Sequence, residues 1–227
     1  MKILVINPNT TTSMTDKIAT AARAVARPDT EIVAATSQDG PASIQGFLDV
    51  ATCVPGLLKE VEQHKDIDAI VIACFDDTGL DAVRTLVPVP VLGIGEAAYH
   101  AASMIANKFS VITTLSRSVA GLENNLMRHG LAQKCARVRA TEIPVLKLEE
   151  GDPATLDKIR LEIHASINED KAEAIVRGCA GMADLMAQLS EEFGLPVIEG
   201  VSAGVTFAEA LVNNSLRTSK IGAYSNN

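Results

Sequence analysis

The chain has 227 residues, 47% hydrophobic and 21% charged, a balance that supports a substantial buried core in one compact domain or two small lobes. A formal net charge of -8, with the 20 Lys and Arg residues gathered into no block, argues against a nucleic-acid partner and for a small-molecule substrate. The opening apolar stretch is too short for a signal peptide, and no run reaches the roughly 18 apolar residues that span a bilayer, so a cytoplasmic protein without membrane contact is expected.

Apolar runs of strand length begin with "KILVIN" at Lys2 and recur as "TEIVAA", "AIVIAC", "VPVLGI", "FSVITT", "ARVRATEIPV", "EAIVRGC" and "LPVIEG". Between most of them lie segments of helical periodicity, at 15–25, 50–64, 118–129, 154–169 and 182–193. Strands alternating with helices predict an α/β fold whose parallel sheet is covered on both faces. The pattern also repeats. Cys74 and Cys179 each close an apolar strand 105 residues apart, Pro90 and Pro196 are 106 apart, and "KILVIN" precedes "FSVITT" by 107. A nearly constant offset predicts two pseudo-symmetric lobes, each a mainly parallel sheet flanked by helices, with the active site in the cleft between them. Residues 1–95 with 205–227 are expected to form lobe one, and 96–204 lobe two.

Ligands of open parallel sheets bind beyond the carboxyl ends of the strands. The loops at those ends are 7–13, 37–46, 74–79, 113–118 and 179–182, rich in small and hydroxyl residues, and two of them begin with cysteine. The four cysteines lack the close spacing of a zinc site, and cytosolic disulfides rarely persist. Cys53, in the helical "DVATCVPGLL", and Cys135, beside Lys134, read as small core residues. Cys74 and Cys179, at matching places in the repeat, would face each other across one cleft. Two such groups on opposite faces of one carbon suit racemisation, in which the base for one enantiomer is the acid for the other. A thiol fits because its reference pKa, near 8.5, lies close to the working pH. A helix N-terminus would favour the thiolate, whereas Asp76 and Asp77 would disfavour it and hold Cys74 as a thiol until substrate arrives.

His64, His100, His129 and His164 fall in helical segments outside these loops and read as surface or interface residues. No GxGxxG follows the first strand and no GxxxxGK[ST] occurs, so phosphate cradles are unsupported. Asp76 and Asp77 lack the lysine and further acidic pair of a magnesium phosphatase site, so no metal is expected.

"VINPNT", "SIQG", "ACFDDTGL", "GCAGM" and "GVSAGVTFAEA" together resemble the hydantoin racemases of the aspartate/glutamate/hydantoin racemase superfamily, over nearly the whole chain. The resemblance implies a homo-oligomeric, cofactor-independent isomerase in which Cys74 and Cys179 exchange the C5 proton of a 5-monosubstituted hydantoin. It implies a pocket lined by Asn7, Pro8, Asn9, Ser43, Phe75, Asp76, Thr113, Thr114, Ala180 and Gly181. The chain departs from the amino-acid racemases of the superfamily after its first strand and after both cysteines, which makes an amino-acid substrate a lesser alternative. Retention of both cysteines argues for racemisation over decarboxylation. The C5 anion is an enolate, which hydroxyl donors such as Thr10, Ser43, Thr113 and Thr114 could hold. Allantoin, a hydantoin with a ureido group at C5, is the nearest alternative substrate. From another class, a binding module with oxidation-sensing cysteines also fits.

Overall fold

The computed structural model describes residues 1–148, 153–178 and 183–225. In the first half β1 (Lys2–Asn7), α1 (Thr12–Val25), β2 (Glu31–Thr36), α2 (Phe47–Gln63), β3 (Ala69–Ile72), α3 (Leu80–Leu86), β4 (Val91–Gly93) and α4 (Ile94–Ile105) follow one another. The second half continues with β5 (Phe109–Thr113), α5 (Ser116–Arg128), β6 (Cys135–Ala140), α6 (Val145–Leu148), α7 (Pro153–Asn168), β7 (Ala174–Arg177), α8 (Ala183–Phe193), β8 (Val197–Glu199) and α9 (Gly200–Asn213).

The strands form two four-stranded sheets, ordered β2-β1-β3-β4 and β6-β5-β7-β8. Every pairing is parallel. Adding four to each strand number of the first sheet reproduces the order of the second, so the repeat read from strand spacing is a repeat of topology.

Alternation along the strands divides the core into three layers. Leu4, Ile6, Ile70 and Ile72 face outward in lobe one, against Leu57 and Val61 of α2 and Val83 of α3. Ile112 and Ile175 face outward in lobe two, against Ile159 and Ile163 of α7 and Leu189 of α8. The inward residues of both sheets, Ile3, Val5 and Val71 from one and Phe109, Val111 and Val176 from the other, share a single central cluster. Each fully buried side chain of this size contributes about 1.5–3 kcal/mol, so the lobes are held together by the same term that holds each of them.

Three boundaries differ from the sequence reading. β3 ends at Ile72, two residues short of Cys74. β6 stops at Ala140, before the proline of "TEIPV", which has no N–H for a ladder. α2 starts at Phe47, three residues before the helical segment read at 50–64, and runs on through Pro55. Among the described residues no helix is long and apolar enough to cross a membrane.

α4 and α9, which follow β4 and β8 directly, pack on each other, and α9 also reaches α1, β3 and β4. Glycine permits this approach. A methyl group added at Gly200 would stand 2.5 Å from the Ile94 carbonyl oxygen, and one at Gly204 would stand 2.9 Å from Val71 Cγ1. Gly200→Ala is therefore expected to destabilise the fold by about 1–3 kcal/mol, read as a lower urea midpoint. An unchanged midpoint would mean that the helices separate without cost.

Candidate active site

The loops after β1, β3, β5 and β7 converge on a cleft between the lobes. Asn9, Cys74 and Asp76 line one side, Thr113, Thr114 and Gly178 the other. Met14, Ile18, Ile44, Phe75 and Val145 add apolar surface, and Ser118 a hydroxyl. Sequence reasoning named Asn9, Phe75, Asp76, Thr113 and Thr114 for this pocket; Met14, Ile18, Ile44, Ser118 and Val145 it did not.

The Asn-Pro-Asn turn has two asparagines with different work. Asn7 is fully buried and lies under the cleft, not in its lining. Its Nδ2 donates to Asn9 Oδ1 (2.9 Å), Thr15 Oγ1 (3.1 Å) and the Thr11 carbonyl (3.2 Å), and its Oδ1 accepts the Asn9 backbone N–H (3.2 Å). Asn9 Oδ1 also accepts the Thr11 N–H at 2.9 Å. Since only the amide oxygen can accept from a backbone N–H, the Asn9 Nδ2 is directed the other way, toward the Met14 sulfur at 3.6 Å. A thioether is a weak acceptor, so this N–H₂ retains donor capacity for a ligand in the cleft.

Pro8 is buried and also outside the lining. Ser43 stands behind the wall, where its Oγ accepts from Gln45 Nε2 at 2.8 Å. Gln45 then bridges the lobes: its carbonyl accepts from Ser118 Oγ (3.1 Å), and its Oε1 accepts the Val145 N–H (3.3 Å). A third link runs from Asn125 Nδ2 to the Asp76 carbonyl at 2.7 Å. Glutamine in "SIQG" carries no catalytic signature, so the sequence held no signal for this bridge.

The segment after β3 is a tight turn in which the Asp77 N–H donates to the Cys74 carbonyl at 3.0 Å. Asp77 takes φ +51°, in the left-handed region, which aspartate tolerates better than most residues. That conformation separates the two acidic side chains. Asp76 stays with Cys74 in the cleft, whereas Asp77 turns inward and accepts the backbone N–H groups of Gly95 (2.9 Å) and Glu96 (2.8 Å) at the start of α4. Its approach requires Gly93, where an added methyl group would fall 1.9 Å from Asp77 Oδ1.

His129 completes this anchor and corrects the reading of the histidines as surface or interface residues. Its side chain is 8% exposed, with Nε2 at 3.3 Å from Asp77 Oδ2 and Nδ1 at 3.6 Å from Glu96 Oε1. Across 52 residues of sequence nothing signals such a contact. Tyr99 packs edge-on against Phe75, with ring centroids 5.3 Å apart.

Burial pushes the Cys74 thiol up, and the Asp76 charge pushes it further; a 3.6 Å hydrogen bond from Thr78 Oγ1 and another from the Asp76 N–H oppose this. Cys74 lies six residues before the start of α3, beyond the reach of that helix's N-terminal field, which removes the thiolate-favouring effect expected of a helix end. The Asp76 carboxyl is itself raised to about 7, by burial first and then by Asp77 and Asp49. Cys53 is fully buried, and Cys135 opens β6 at the edge of the central cluster.

Cys179, Ala180 and Gly181 lie outside the described residues. Gly178, the residue before them, is held by its N–H to the Ile112 carbonyl at 2.9 Å. A methyl group added there would stand 3.0 Å from Phe75 Cδ1, so the neighbours of the two cysteines in sequence touch across the cleft.

The Asp/Glu/hydantoin racemase family model matches residues 3–208. A hydantoin racemase of Rhizobium meliloti is 47% identical, covering 99% of this chain and 94% of the relative. Among solved structures, allantoin racemase from Klebsiella pneumoniae is 44% identical with a TM-score of 0.95, covering 99% of this chain and 93% of its own. Allantoin racemase from Pseudomonas fluorescens is 42% identical with a TM-score of 0.96, covering 100% and 97%. With topology, cleft and near full-length similarity in agreement, the chain belongs to the Asp/Glu/hydantoin racemase family and is an isomerase of the racemase type.

Proposed function

We propose that the protein interconverts D- and L-5-monosubstituted hydantoins by proton transfer at C5 between Cys74 and Cys179, without a cofactor. The observation that carries this reading is Cys74 on one wall of a cleft whose opposite wall includes Gly178, the residue preceding Cys179. In the reaction one cysteine, as thiolate, removes the C5 proton; the C–H bond breaks, an S–H bond forms, and the electron pair delocalises onto the adjacent carbonyl oxygen. The other thiol protonates the opposite face and is left as thiolate, so nothing is consumed. Asn9 Nδ2 and the hydroxyls of Thr113 and Thr114 are suited to hold the enolate oxygen. Because burial and Asp76 push the Cys74 thiol up, Cys74 rests protonated, ready to act as the acid of the pair.

A second reading, allantoin racemisation, is favoured by the pocket that adjoins the cleft at Asp76. Phe47 and Val50 offer it an apolar side, whereas Arg117, Asn124 and Asn125 offer a polar one. The first would seat a benzyl or isobutyl group, the second a ureido group. Arg117→Ala is expected to lower kcat/KM for allantoin by about tenfold or more and leave benzylhydantoin within about twofold, consistent with the loss of one charged hydrogen bond. Equal losses on both substrates would remove Arg117 from specificity.

One enantiomer of benzylhydantoin in deuterium oxide, with a chelator and an enzyme-free control, tests the main reading. Optical rotation should decay to zero while deuterium enters C5 faster than in the control. Cys74→Ala and Cys179→Ala should each slow racemisation by about 10²–10⁴-fold. Full racemisation by either single variant would sink the two-cysteine mechanism.

Asp76→Asn tests the resting state. Above pH 7 the native carboxylate repels a thiolate at Cys74, so its replacement should move the pH midpoint of Cys74 alkylation, followed on the Cys74 peptide by mass spectrometry, downward. The same variant has a stability signature. A carboxyl raised from 3.8 to about 7 weakens the native state progressively as pH rises through that interval. Asp76→Asn should therefore gain stability over the native protein at pH 8, up to a few kcal/mol, and gain none from this source below pH 4. An unmoved alkylation midpoint would leave burial alone as the cause of the raised thiol.

A further inference from the structure

Outside the cleft, one group of metal-ligating side chains comes together. Glu96 and His100 stand four residues apart on α4 and so share one helix face, and His129 follows the last residue of α5. One ligand atom from each of the three lies within 4.8 Å of the others, the one such group among the described residues. The His100 and His129 rings meet with centroids 6.3 Å apart at 65°.

The surrounding contacts orient the donors. Arg84 takes Glu96 Oε2 at 2.6 Å and leaves Oε1 on the His129 side, 3.6 Å from Nδ1. Asp77, already the acceptor of two backbone N–H groups, stands at 3.3 Å from His129 Nε2. In the tautomer that gives the Nε2 proton to Asp77, the Nδ1 lone pair is left on the Glu96 side. A carboxylate fixing the far nitrogen of a histidine is the arrangement that orients and strengthens histidine ligands in metal sites. Arg84, Glu96 and His100 also line a surface groove, which gives an ion a path of entry.

We propose that Glu96, His100 and His129 form a site for one divalent transition-metal ion of the zinc or cobalt type, separate from the racemase cleft. Two imidazoles and one carboxylate suit such an ion, with water completing a tetrahedral shell. The Arg84 charge nearby weakens the site, and the ion acts as a clamp between α4 and α5.

The test uses the full chain without an affinity tag, stripped by chelator and titrated with Zn²⁺ by calorimetry and with Co²⁺ by absorption. Expected are one equivalent per chain, visible Co²⁺ bands without a near-ultraviolet thiolate charge-transfer band, and a Tm that rises with Zn²⁺. His100→Ala and His129→Gln should each weaken binding by about tenfold or more, and Cys74→Ser should not change it. Since removal of His129 could loosen the fold, His100→Ala, checked by circular dichroism, is the decisive variant; its metal-free racemase activity should equal that of the native chain. Absence of binding, binding that survives His100→Ala in a folded protein, or a thiolate band would overturn the proposal, the last by moving the ion to the cysteines.

Discussion

The Asp77 carboxylate is the constraint on which the site depends. The first N–H groups of a helix have no partner within it, and those of Gly95 and Glu96 are satisfied by a side chain 18 and 19 residues earlier in the chain. The bond does two things at once: it caps α4, and it holds the turn that carries Cys74 against the central core. A carboxylate at a helix N-terminus also meets the positive end of the helix dipole, which offsets part of the cost of burying its charge. Burial still leaves the Asp77 carboxyl raised, with His129 opposing the rise.

Pseudo-symmetry explains why the cap comes from so far away. In the second lobe the equivalent N–H groups, those of Val201 and Ser202, are both capped at 2.8 Å by Glu199, the last residue of β8. The residue of lobe one that corresponds to Glu199 is Gly93, the last of β4. It has no side chain to offer and leaves the space that Asp77 enters. The two halves thus meet the same requirement by different means, and in the first the cap also positions the turn that carries Cys74.

Much of the fold was legible because its causes are local. Strand spacing, apolar alternation and the constant offset between halves are properties of sequence order, and they lead to two sheets of identical strand order. The loops that carry Asn9, Phe75, Asp76, Thr113 and Thr114 were legible because strand-end loops converge in a parallel sheet, and the family resemblance singled out those residues within them. Asn7 and Ser43 sit one layer deeper, a distinction that depends on which amide faces which hydroxyl and leaves no periodic trace. His129 and Gln45 were illegible for a related reason: their partners are brought near by the packing of one lobe on the other. The absence of a side chain at Gly93 opposite Glu199 was the one sequence clue that a distant carboxylate had to supply the cap.

The adjacent aspartates show how one backbone angle assigns two roles. Had Asp77 taken an ordinary extended or helical conformation, both charges would have crowded Cys74; its left-handed φ sends one to α4 and leaves one in the cleft. The remaining charge, partly neutralised near pH 7, adds to the burial that already favours the thiol form of Cys74. In the proposed reaction this bias has value only if the second thiol stays at a set distance across a single carbon, since small errors in position are costly to proton transfer. The shared central cluster holds the described walls of the cleft at a set spacing. Moving the lobes apart would expose Val5 and Val71 on one sheet with Val111 and Val176 on the other, so the spacing of the cleft walls rests on the hydrophobic term that folds the chain.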